Sequence, residues 1–202
     1  MIRFVWRGFT AEFTFLFAAT VTFCLLTDQT GLSTLALSAC ILHEGGHLLA
    51  FALTGIKPRA IVFELCGIRL IPPVCRPPFG KELFIQSGGI LMNFLLGSLC
   101  LCLKDEQGSA AHFLLGIFSL LPLHTLDGGA LVRLLTDRFL PPHLSRIPDI
   151  LDIAAILLLC LFCGVLVCAG TFPLTLAVFS GGLLGSLFGG VITRIGRKRR
   201  KI

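Results

Sequence analysis

Residues 32–53 read LSTLALSACILHEGGHLLAFAL, and at their centre stand His43, Glu44 and His47. The stretch is apolar enough and long enough to cross a bilayer, which takes about 20 residues as a helix. Hydrocarbon penalises ionisable groups, so a His-Glu-His cluster inside such a segment is a functional-site hypothesis by default. On a helix, residues four apart share one face, and two neutral imidazoles there can ligate one tetrahedral zinc ion while the intervening glutamate serves as general base.

Outward from this segment the chain keeps the same character. Of its 202 residues 55% are hydrophobic and only 14% charged, and the mean hydropathy is +0.92. That composition excludes an ordinary soluble domain. Apolar blocks run over Gly8–Thr27, Gly31–Gly55, Glu82–Leu103, Ala110–Thr136, Asp149–Ala169 and Thr171–Thr193. They predict an all-α polytopic membrane protein with six transmembrane helices in one domain spanning 1–202. Its catalytic core covers about 31–137, followed by a helical hairpin at 149–193 and a basic tail at 194–202. Between the second and third helices, residues 61–70 (IVFELCGIRL) alternate around Cys66-Gly67, which predicts a short membrane-associated β-hairpin.

Six spans leave Lys104 as the only one of the 17 Lys and Arg residues on the side away from the N-terminus. The positive-inside rule therefore predicts a multi-pass protein with both termini cytoplasmic. The net charge of +6 reflects this topology and contact with anionic lipid headgroups, not nucleic acid. The nine cysteines are odd in number and scattered mostly through the spans, a pattern that suits packing rather than a disulfide framework.

A catalytic zinc site takes three protein ligands and leaves one position for water, so HEGGH alone is one ligand short. Asp127, in Pro122–Gly129 (PLHTLDGG), is the only carboxylate in the apolar part of the fourth block. Helices two and four run in the same direction, and Asp127 lies ten residues before Asp137 as His47 lies ten before Lys57, so both are expected roughly 15 Å from one membrane face. Asn93 on the third helix falls near ~18 Å by the same reckoning. Gly45-Gly46, Gly88-Gly89 and Gly128-Gly129 flank these groups and allow transmembrane backbones to approach closely. An aspartate before two glycines can instead cap a helix break. His124 is expected beside the site or at an interface, and His112 and His143 as solvated residues near span ends.

Together, HExxH in one span, Gly88-Gly89-x-x-x-Asn93 in the next and Pro122-x-x-x-x-Asp127-Gly-Gly in the one after resemble the site-2 proteases. The short loop between the second and third spans makes the chain most similar to the branch typified by the stage IV sporulation protein FB. The resemblance covers about residues 31–137 and implies zinc held by His43, His47 and Asp127, with Glu44 activating the attacking water and Asn93 assisting at the carbonyl. It also implies that the hairpin meets extended substrate. Ile90 and Ser119 stand where the family usually has proline and asparagine.

The implied activity is hydrolysis of a peptide bond in a transmembrane or membrane-tethered protein near the cytoplasmic side. In the sporulation context the substrate would be a sigma-factor precursor in a bacterial cell membrane. The partners are then that substrate, the bilayer and a membrane regulatory protein. The competing reading is a catalytically silent membrane scaffold, or a metal-handling protein, on the same helices.

Overall fold

The structure, a computed structural model, describes residues 2–168 apart from 7, 8, 29, 65, 66, 72, 74, 142, 143 and 145. The chain divides into two compact units, Met1–Leu120 and Leu121–Ile202.

The first unit contains β1 (Ile2–Trp6), β2 (Phe9–Phe13), α1 (Phe15–Thr27), α2 (Leu32–Thr54), β3 (Ala60–Glu64), β4 (Gly67–Ile71), α3 (Phe79–Cys102) and α4 (Glu106–Ser119). The four strands form one sheet in chain order. β3 and β4 pair antiparallel between α2 and α3, with Val62 opposite Arg69. β2 lies parallel to β3, Thr10 opposite Ala60, and β1 returns antiparallel along β2.

This sheet corrects the expected first transmembrane helix. Residues 9–13 are strand, and α1 keeps only 13 residues, or roughly 20 Å at 1.5 Å per residue, too short to cross ~30 Å of hydrocarbon. The physical reason lies in the alternation Phe9-Thr10-Ala11-Glu12-Phe13, which suits a strand with one apolar face. Phe13 stacks on Phe63 with ring centroids 4.0 Å apart. Thr14 then switches the backbone from sheet to helix. Its hydroxyl donates to the Phe63 carbonyl at 2.8 Å and accepts from the Phe17 N–H, capping α1.

Among the described residues, α2 and α3 are long and apolar enough to cross a membrane. α2 is bounded by Gly31 and Gly55, both in left-handed backbone (φ 78° and 70°) that favours glycine. The two helices meet backbone to backbone: a Cβ on Gly46 would stand 2.5 Å from the Gly88 carbonyl oxygen. Phe51, Ala50 and Ile85 fill the junction below. Their outer faces carry Ile41, Leu49, Leu53, Leu91, Leu95 and Leu99, all exposed. Such apolar surface suits contact with lipid chains rather than water.

The fourth apolar block is not one helix. α4 ends at Ser119, and the next helix, α5 (Asp127–Phe139), begins only after residues 120–126, where the chain passes into the second unit. Pro122 has no N–H for a helical bond and disfavours helical backbone before it. The depth estimate for Asp127, which counted residues along a continuous helix, therefore does not hold.

The second unit is described as α5 and α6 (Ile147–Cys168). Fully buried Leu123 packs with Ile156, supported by Leu121, Leu126, Ala155 and Leu159. A Cβ on Gly129 would fall on the Leu123 carbonyl, so the loop can fold over the first turn of α5 only with glycine there. The expected sixth span and the basic tail lie outside the described residues.

Candidate metal centre

Helix α2 places His43 and His47 one turn apart, with ring centroids 5.0 Å apart and ring planes at 81°. Each is 6% exposed. Across from them on α3 is Gly89, and the space a side chain would take there belongs to the imidazoles. A Cβ on Gly89 would stand 2.5 Å from Nε2 of His47 and 2.6 Å from Nε2 of His43. The two Nε2 atoms thus converge on one spot above a residue without a side chain. Glu44 follows His43 on the same helix, half-buried.

The opposite ring nitrogens are held from behind. Nδ1 of His47 lies 2.7 Å from the carbonyl oxygen of Ile85. A carbonyl only accepts, so this nitrogen carries the proton and Nε2 carries the lone pair of the neutral ring. Nδ1 of His43 lies 2.9 Å from Nδ2 of Asn93, and Oδ1 of the same amide lies 3.1 Å from Nδ1 of His112 on α4. Asn93 is fully buried. Ligand histidines in zinc sites are oriented by donating their other ring N–H to a carboxylate, a backbone carbonyl or water. Converging Nε2 atoms, braced Nδ1 atoms and a cradle emptied by glycine fit a zinc ion.

In the second unit, Asp127 is the first residue of α5, where the helix dipole favours a carboxylate. The loop before it is fastened by Asp152 of α6. The Asp152 carboxylate accepts the backbone N–H of His124 at 3.0 Å and contacts the His124 ring, Nδ1 to Oδ2, at 2.9 Å. Asp152 is 2% exposed. Arg133 of α5 brings its guanidinium to 3.6 Å from Asp149 and 3.9 Å from Asp152.

Of the residues expected at the site, the first unit brings together His43, His47 and Asn93, with Glu44 alongside; Asp127 is carried by the second unit. Two residues differ from expectation. His112, expected as a solvated residue near a span end, is 6% exposed and bonded to Asn93. Asp152 puts a polar cluster on a helix expected to carry no chemistry. Its signal was a carboxylate inside the apolar run IPDILDIAAILLL. His143 lies outside the described residues.

These features define a mostly helical protein with a small sheet, organised around a histidine pair on a helix able to cross a membrane. The same fold is found in the Site-2 Protease from Methanocaldococcus jannaschii, with a TM-score of 0.63, 22% identity, and coverage of 88% of this chain and 91% of that one. At the level of sequence, no family model and no curated protein matches the chain.

Proposed function

We propose that the chain is an intramembrane zinc metalloprotease that cuts a transmembrane or membrane-tethered protein near the cytoplasmic side. The observation that carries this reading is the convergence of His43 and His47 Nε2 above Gly89, on a helix able to cross a membrane, with Glu44 one residue away. The shared fold with a site-2 protease supports it.

Asp127 would be the third donor for the zinc ion. A bound zinc ion supplies Lewis acidity toward the scissile carbonyl and lowers the pKa of a coordinated water to about 7. Glu44 takes the proton of the attacking water and delivers it to the leaving nitrogen, as a positioned carboxylate does in general acid–base catalysis. Ile85 and Asn93 keep the two imidazoles turned toward the site. Assistance by Asn93 at the carbonyl would require one of its two histidine contacts to give way. The substrate helix has its own carbonyls bonded, so it unwinds locally before it is cut. The β4 edge offers a place for the unwound segment to add as a strand.

The protein is then multi-pass, with both termini cytoplasmic, and its substrates are membrane-tethered precursors such as sporulation sigma factors. The test is cleavage of single-span reporter proteins co-expressed with the wild type and with Glu44→Gln. The variant should lose on the order of 10²–10⁴-fold in rate while retaining zinc. Full cleavage by Glu44→Gln would overturn the mechanism.

A further inference from the structure

The Asn93 amide has one donor end and one acceptor end, and each faces the Nδ1 of an imidazole. A half-turn about its Cβ–Cγ bond exchanges the ends while leaving every heavy-atom position nearly unchanged. Two hydrogen-bond arrangements are therefore self-consistent. In one, Nδ2–H donates to His43 Nδ1, which puts the His43 proton on Nε2, and His112 Nδ1–H donates to Oδ1. In the other, His43 Nδ1–H donates to Oδ1, which frees the His43 Nε2 lone pair for a ligand bond, and Nδ2–H donates to His112 Nδ1.

All three side chains are buried, His43 and His112 at 6% exposure and Asn93 at 0%, so water is not at hand to satisfy a mismatched end. An unsatisfied buried donor or acceptor is costly, and this ties the three groups together. Gly116 of α4 faces this residue: a Cβ there would stand in ordinary contact, 3.4 Å from Cβ of Asn93.

We propose that His112 is a positioning residue for the metal site, acting through Asn93. The amide couples the ring tautomer of His112 to that of His43, and only one of the two arrangements turns a His43 lone pair toward the metal. The inference rests on the zinc-protease reading above. His112 touches neither substrate nor metal in this account; it supplies the acceptor that holds the amide in the ligating orientation.

The test is zinc affinity by chelator competition on the full chain in nanodiscs, with folding followed by circular dichroism. His112→Leu should weaken zinc binding by about 10–100-fold, the range seen when partners behind a ligand are removed. His112→Asn, which restores a polar group near the position of Nδ1, should recover affinity to within about threefold of wild type. Ring ¹⁵N shifts of zinc-loaded wild type should show His112 protonated on Nε2. Unchanged affinity in His112→Leu overturns the inference, as does equal loss in His112→Leu and His112→Asn, which would mark a packing role. If His112→Leu does not fold, Asn93→Asp decides. A carboxylate accepts at both ends, so zinc affinity should be retained and the His112 proton should move to Nδ1; loss of more than tenfold overturns the proposal. A wild type that binds no zinc fails the protease reading itself, a pattern distinct from these.

Discussion

His47 and His124 are both buried histidines with Nδ1 anchored below 3 Å, yet their anchors differ in kind. His47 meets a neutral backbone carbonyl, that of Ile85 at 2.7 Å. His124 meets a buried carboxylate, Asp152 at 2.9 Å, which also holds its backbone N–H and faces Arg133. A neutral acceptor selects a tautomer without adding charge, which suits a ring that must offer a lone pair to a cation. A carboxylate that binds both backbone and ring serves instead to fasten a loop, and this loop leads three residues later into Asp127. The first unit thus orients its histidines, whereas the second braces the loop that precedes Asp127.

The largest expected effect comes from breaking the brace. Asp152→Ala removes the acceptor of the His124 N–H and leaves Arg133 without one of its two carboxylates. Each hydrogen bond lost to this buried carboxylate, from the His124 N–H and from its ring, costs about 1.5–3 kcal/mol, and a thermal melt of the variant should show it. Asp152→Asn keeps an acceptor for the backbone and should cost less than half as much. Equal losses would mean that charge, not loop fastening, is what Asp152 supplies.

On the tuned side, Gly89→Ala should strike next. Its methyl would press on both Nε2 atoms, 2.5 and 2.6 Å away, and such overpacking costs about 1–3 kcal/mol. Because the collision falls on the two Nε2 atoms proposed to bind the metal, zinc affinity should drop at least tenfold. An unchanged affinity would show that the imidazoles do not converge over this glycine.

Thr14→Val removes the hydroxyl that caps α1 and donates to the Phe63 carbonyl, while the backbone N–H keeps its own bond there, and should lower stability by ~1 kcal/mol without touching zinc binding. The smallest effect concerns a second carboxylate that holds backbone, Asp28. It is half-buried at the surface, and hydrogen bonds from Thr30, first from its side chain and then from its backbone, lower its pKa to about 2. Because the folded value lies below the ordinary one, its contribution is present above about pH 4 and is lost as pH falls toward 2. The difference in melting temperature between wild type and Asp28→Ala should be small at pH 6 and close toward pH 2.5. A gap that widens on acidification would contradict this sign.

Much of the candidate site in the first unit was legible because HEGGH and Asn93 are polar groups in an apolar chain, where each stands out against its surroundings. The fold was less so. Hydropathy counts apolar residues without separating strand from helix, so Phe9–Phe13 merged with α1 into one apparent span, although Thr10 and Glu12 mark a period of two. Across residues 110–136 hydropathy stayed high while Pro122 broke the helix, because the break is a backbone event. The burial of His112 depends on how α4 packs on α3, and no local pattern around it distinguishes a solvated histidine from one bonded to Asn93.

The central claim is a zinc ion held by His43, His47 and Asp127, and zinc per chain in detergent-purified protein tests it most directly. Wild type should hold about one zinc, and both His47→Ala and Asp127→Ala should lose it, because metal affinity follows ligand identity and count. A folded wild-type protein that stays free of zinc after reconstitution would contradict the account and favour a silent scaffold. Loss in His47→Ala alone would remove Asp127 from the ligand set.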